Sequence, residues 1–198
     1  MAVLLTEEQV LGVRERIRAA AERHVAAHGP DAISLRSIAA ELGWTAASLY
    51  RYYASKAELL DALRIAAHDR FSDRIEAAHA STDDLWDRSR AIGDAYVQFA
   101  QDEPAAYRLM FANGLDEGEK SPELHRAEQR SNRTLTGYVR DMVEAGLLTG
   151  DADLIAHAYW AAIHGLVMLR MAGKLDNSPP FETLRHAAMR MITRGARA

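Results

Sequence analysis

SLRSIAAELGWTAASLYRYY, residues 34–53, is the stretch that decides the fold. Ser34 can N-cap a helix running to about Leu42, because its hydroxyl can accept a first-turn N–H. Gly43 breaks that helix. Thr45 can cap a second short helix through Tyr52. Two helices of two turns joined by a short glycine turn form the helix-turn-helix pattern, whose second helix can enter the DNA major groove. Ile38, Ala39, Leu42, Trp44 and Leu49 can supply a small core, with Ala39 small where two helices must approach closely. An ordinary αα-hairpin, with Tyr and Arg merely covering that core, fits the spacing equally well.

If the pair does read DNA, the exposed residue types suit the task. Thr45 adds a hydroxyl to helix N-terminal N–H groups that favour a phosphate. Ala46 and Ala47 allow close approach and contact with thymine methyls, and Arg36 can reach guanine bidentately. Ser48 lies on a remaining face of the second helix. Tyr50 and Tyr52 carry hydroxyls for phosphates or base edges. Lys56 is a point charge for a phosphate.

Working outward, helical periodicity continues nearly everywhere. Val10, Val13, Ile17, Ala20, Ala21, His24 and Val25 recur at i, i+3, i+4, i+7. Thr6 and Gln9 form a capping-box pattern before them, and Gly29-Pro30 ends the helix. Ser55 and Glu58 form a second capping box, opening a long helix to about Ala80. Further helices are expected from about Thr82 to Gln101, from Pro104 to near Asn113-Gly114, and from Ser121-Pro122 to Gly146. Asp151–Ala172 and Phe181–Thr193 complete the series. GLDEGEK is a polar loop and NSPPF a break. No alternation suits a strand. The expectation is an all-α protein of about nine helices.

LYRYYASKAELL, residues 49–60, resembles the signature of the tetracycline-repressor (TetR) family of transcriptional regulators. A Leu-Tyr pair, an aromatic pair and a Ser-Lys-x-x-Leu-Leu run stand where that family has them. SLRSIAAELGWT resembles its second helix and turn, and the likeness spans about residues 10–63. Tyr53 departs from it, since the family commonly has a buried Phe there. Its hydroxyl then needs a partner. Ala54 departs too, where Pro or Lys is more usual. The resemblance implies a head over residues 1–54, then a ligand-binding and dimerisation domain over 55–198, with 55–80 as connecting helix. It implies that Arg36 touches a base or the backbone, that Ala46, Ala47 and Tyr50 face bases or sugars, and that Ser48, Tyr52 and Lys56 hold phosphates. With two alanines in the reading helix, part of the specificity is expected from DNA shape.

The C-terminal half carries aromatic and methionine residues suited to a ligand pocket. Tyr96, Phe99, Tyr107, Met110 and Phe111 fall on two neighbouring helices. Trp160, His164 and Met168 share one face of the eighth helix at i, i+4, i+8. A plain core accounts for most of these positions. His164 needs a hydrogen-bond partner, and a ligand could be one. Trp160, His164 and Gly165, with the Pro104–Phe111 run, resemble a TetR C-terminal subgroup named for a Trp-His-Gly motif. The eighth helix is apolar almost all round, which calls for burial on several sides. The resemblance implies a C2 homodimer through the eighth and ninth helices. Its two reading helices would meet successive major grooves roughly 34–36 Å apart on a pseudo-palindromic operator.

Composition bounds the alternatives. The chain has 198 residues, 48% apolar and 26% charged, which is ordinary for a globular protein. Without cysteine there are no disulfides, thiolate metal sites or Cys nucleophiles. MAVLLTEEQV meets two Glu too early for a signal peptide. Ala158–Met171, the most apolar stretch, is expected to be too short and too polar to span a bilayer. A cytoplasmic location and no membrane partner are expected. His24 and His28, and His157 and His164, lack the companions of a metal set, and no hydrolase elbow, phosphate loop or dinucleotide fingerprint occurs. No enzyme activity, cofactor or metal is expected. The net charge of −4 counts against a nucleic-acid partner, but residues 1–60 hold seven Lys+Arg against seven Asp+Glu. The acidity belongs to the rest of the chain.

The expected function is thus a dimeric, ligand-responsive regulator. It would most plainly be a repressor released from double-stranded operator DNA by a small-molecule inducer. The competing readings are a helical small-molecule carrier or enzyme with a vestigial helix-turn-helix, and a ligand-independent DNA binder.

Overall fold

The computed structural model describes residues 6–111 and 120–197. The described residues form nine α-helices and no strand: α1 (Glu7–His28), α2 (Leu35–Glu41), α3 (Ala46–Tyr50), α4 (Lys56–His79), α5 (Leu85–Asp102), α6 (Pro104–Met110), α7 (Pro122–Glu144), α8 (Ala152–Met171) and α9 (Phe181–Ala196). A 3-10 turn at Pro30–Ala32 follows α1. The expected end of the sixth helix at Asn113-Gly114, and most of the GLDEGEK loop, lie outside the described residues.

The caps explain why the helices begin where they do. Thr6 and Gln9 bond reciprocally as a capping box. Ser34 does the same with Ser37. Asp151 accepts from the N–H groups of Asp153 and Leu154. The fifth helix starts later than Thr82, because Asp84 accepts from the Asp87 N–H at 2.8 Å and acts as the cap. Between α2 and α3 the chain makes a Schellman turn. Trp44 N–H donates to Ala39 O at 2.8 Å and Gly43 N–H to Ala40 O at 3.1 Å. Gly43 sits at φ 70°, which a side chain would oppose.

The chain divides into two compact units. Among the described residues, the first holds 6–69, 103–111 and 120–128. Its core joins Ile17, Ala21 and Val25 of α1, Ile38 and Ala39 of α2, and Leu49 of α3. Leu59 and Leu63 of α4 and Leu109 of α6 extend it. Leu42 and Trp44 pack at its edge rather than inside.

The second unit holds, among the described residues, 70–102 and 129–197. Phe71, fully buried, takes the rings of Tyr96 and Phe99 edge-on at centroid distances of 5.5 and 5.2 Å. Ser72 and Ser131 share a buried hydrogen bond of 3.0 Å. Arg130 reaches Asp73 and Glu76, both at 2.6 Å, and these carboxylates hold its guanidinium pKa above the ordinary arginine value. By length and composition α8 does reach the size of a membrane-crossing helix, which corrects the expectation drawn from Ala158–Met171 alone. Its apolar residues have other work in this unit. Ile155, Tyr159, Ile163 and Val167 are buried. Its opposite side stays bare within one chain, with Leu154 71% and Met168 38% exposed.

Candidate nucleic-acid interface and ligand cavity

In the first unit α3 is a short helix with one buried side. Leu49 is fully buried and anchors it. Around it Thr45, Ala47, Tyr50 and Arg51 are exposed, while Ala46, Ser48 and Tyr52 are half-buried. Arg36 on α2 and Lys56 at the start of α4 are also exposed. All eight sequence-derived candidates therefore fall in one unit, on α2, on α3 and its N-cap Thr45, in the turn after α3, and at the start of α4. α3 ends at Tyr50, so Tyr52 lies in that turn and not on a helix through Tyr52 as expected. Tyr50 is 55% exposed, although a tyrosine ring favours burial. Thr45 is partly committed: its hydroxyl accepts from Ser48 N–H at 3.3 Å and lies 2.9 Å from the Ser48 hydroxyl.

The junction between α3 and α4 is held from behind by α1. Arg14 donates to Tyr52 O at 2.6 Å and to Glu58 Oε1 at 3.0 Å. Its guanidinium lies 4.2 Å from the Tyr53 ring centroid. The second oxygen of Glu58 accepts from Ala54 N–H at 2.7 Å. The Tyr53 hydroxyl, unusual at this place, donates to Arg14 O at 3.4 Å. Burial raises the Tyr53 pKa, so it stays a neutral donor. Arg14 was not among the sequence candidates, since its partners lie far downstream of it.

The second unit contains a cavity of about 760 Å³ between α5, α7, α8 and α9. That volume suits a drug-sized molecule. Ile92, Leu135, Ile163 and Met189 supply apolar surface, and Trp86, Tyr138, Tyr159 and Trp160 supply rings. Burial pushes the Tyr138 phenol up to about 12, against the opposing effect of its bond with Ser89. Tyr159 OH and Thr193 Oγ1 lie 2.6 Å apart. Arg185 is gripped by Asp94 at 2.6 Å and Glu182 at 2.7 Å.

Of the sequence-derived ligand candidates, Tyr96 and Trp160 line this cavity. His164 stands behind it, with its Nδ1 3.1 Å from the Tyr96 hydroxyl, and burial lowers its pKa. Phe99 is fully buried against Phe71. Met168 faces outward. Tyr107, Met110 and Phe111 belong to the first unit, where the Tyr107 and Phe111 rings meet tilted at a centroid distance of 5.0 Å. The arginines of α9, with Arg197 just after it, line the cavity and were missed. Their spacing at 185, 190, 194 and 197 was the available signal.

A helix-turn-helix unit followed by a helical unit with a ligand-sized cavity defines a class of regulatory protein. Residues 17–63 match the model of bacterial regulatory proteins of the tetR family, and residues 89–194 match that of the tetracyclin repressor-like C-terminal domain. The chain belongs to the tetracycline-repressor family. An HTH-type transcriptional regulator of Mycobacterium tuberculosis is 33% identical over 137 residues, covering 67% of this chain and 56% of that one. The chain thus spans about half the length of the curated relatives it matches. A protein of unknown function from Rhodococcus sp. RHA1 superposes with a TM-score of 0.83 at 29% identity, covering 93% and 95% of the two chains. A tetR-family regulatory protein from Rhodococcus RHA1 does so at 0.64 and 26%, covering 93% and 97%.

Proposed function

We propose that the chain is a dimeric, ligand-responsive DNA-binding regulator and, more narrowly, a repressor released from its operator by a small molecule. The observation that carries this reading is the outer side of α3. Leu49 is the one fully buried residue of the helix, and Thr45, Ala47, Tyr50 and Arg51 are left exposed around it. A short helix anchored by one fully buried residue, with an exposed face at Thr45, Ala47, Tyr50 and Arg51, is suited to a groove. Dimerisation through α8 and α9 is supported by exposed Leu154, Met168, Leu169 and Met191. Residence in the cytoplasm and the absence of catalysis belong to the same reading. Placement in the Trp-His-Gly subgroup rests on Trp160, His164 and Gly165.

The population-shift mechanism needs only a ligand that prefers one helix arrangement, and α4 runs through both units. A coupling of about 1–3 kcal/mol changes operator affinity roughly 5–150-fold. Fluorescence anisotropy with the DNA upstream of the protein's own coding region tests the reading. Specific binding is expected, lost in Tyr50→Ala and Lys56→Ala while circular dichroism stays unchanged. Equal binding to unrelated DNA would defeat it. Arg36, Arg51 and Lys56 of two protomers set a log–log salt slope of about −5 at most. The same assay with ligands separates an inducible regulator from a ligand-independent one, and no DNA binding at all leaves the carrier.

A further inference from the structure

We infer that the second-unit cavity selects an organic acid: an apolar ring or chain with one carboxylate, sulfonate or phosphate head. This rests on the reading above that the cavity is a ligand site. The chain as a whole carries −4, yet the cavity is lined by five arginines and one carboxylate, Asp94. Two of these arginines are spoken for. Asp94 and Glu182 hold Arg185, and Asp87 holds Arg90. Among the described residues, no carboxylate lies within ion-pair distance of Arg190, Arg194 or Arg197. Arg197 instead lies 5.3 Å from the Trp86 ring centroid.

The uncharged polar groups point the same way. Trp160 Nε1 is a buried donor with no acceptor. Indole and guanidinium groups can only donate. Thr193 accepts from the Tyr159 hydroxyl and gives its own proton to Met189 O, so both hydroxyl protons are spent, and Asp94 is occupied by Arg185. The uncompensated charge on the wall is therefore positive, on the guanidiniums of Arg190, Arg194 and Arg197. An occupant that answers them must carry acceptor atoms and negative charge. The rings of Trp86, Tyr138 and Trp160, with Ile163 and Met189, ask for an apolar body. A cation would meet uncompensated guanidiniums, and a bare inorganic anion would leave the apolar wall unfilled.

The test uses the full chain and two fluorescent probes of nearly the same body. They are anionic 8-anilinonaphthalene-1-sulfonate and neutral N-phenyl-1-naphthylamine, with sodium sulfate as the bodiless anion. The sulfonate is expected to bind at least about tenfold more tightly than the amine, with sulfate a poor competitor. Arg190→Ala/Arg194→Ala, at exposed positions that pose no folding problem, should erase that preference and change the amine's affinity by less than about twofold. Ile163→Trp, which fills the cavity, should abolish both. If both probes bind equally, ignore the arginine variant and are lost in Ile163→Trp, the acid selectivity falls and the ligand site stands. If neither probe responds to Ile163→Trp, both fall.

Discussion

Replacing Arg14 by Met keeps the aliphatic stem and removes the guanidinium that ties α1 to the α3–α4 junction. Three interactions go with it. The bond to Tyr52 O is short, 2.6 Å, and has a charged donor, worth about 1.5 kcal/mol or somewhat more. The contact with the Tyr53 ring at 4.2 Å adds roughly 0.5–1 kcal/mol. The ion pair with Glu58 joins side chains 36% and 40% exposed, so solvent screening leaves it about 0.5 kcal/mol or less. The expected loss is about 2–3 kcal/mol. Trp44 reports on this unit once Trp86 and Trp160 are changed to Phe, since the chain has three tryptophans. Urea unfolding followed by its fluorescence should show the midpoint shift at unchanged slope. Glu58→Gln removes the ion pair but keeps an oxygen for Ala54 N–H, and should cost no more than about 0.5 kcal/mol. A loss below about 0.5 kcal/mol for Arg14→Met would refute the clamp. Equal losses for both variants would mean that the ion pair, not the carbonyl bond, dominates.

Other perturbations probe other parts. Ser72→Ala removes half of a buried hydroxyl pair and should cost about 1–2 kcal/mol, with Ser72→Ala/Ser131→Ala costing less than twice that in thermal melts. His68 is buried in the first unit, and burial lowers its pKa to about 4 despite Glu128 and Asp69, which oppose the shift, while Lys120 and Arg64 add to it. The unfolded chain therefore takes up the proton first. Stability present above pH 6.5 should fall by about 3 kcal/mol as pH drops towards 4. His68→Gln should flatten that part of the stability profile, and an unchanged slope would sink the assignment. Leu154→Glu/Met168→Glu puts charge on the bare side of α8. Sedimentation should show monomer, and an intact dimer would place the interface elsewhere.

What could be seen in the sequence was local. Thr6 with Gln9, Ser34, Thr45 and Asp151 announce helix starts because a cap and its N–H lie within three residues of each other. The pairing of Ser55 with Glu58 was half legible. Ser55 does accept from Glu58 N–H at 3.1 Å, but the Glu58 carboxylate takes Ala54 N–H. Its other oxygen goes to Arg14, 44 positions away. Periodicity told that Tyr107 is buried but not against what, and it packs in the first unit rather than beside Tyr96. The cavity was least legible. Trp86, Trp160 and the α9 arginines come from three helices, and no spacing rule relates them.

α4 has 24 residues, and at about 1.5 Å per residue it is a rod of about 36 Å. Tilting such a rod by about 5° at one end carries the other end through about 3 Å. That is close to the roughly 3.4 Å step between neighbouring base pairs. A helix of this length is therefore long enough for a tilt of a few degrees to matter on the scale of a base-pair step. A tilt of about 5° pivoting near Arg70 would move the residue-79 end by about 1 Å and the residue-56 end by about 2 Å, without any helix having to unwind.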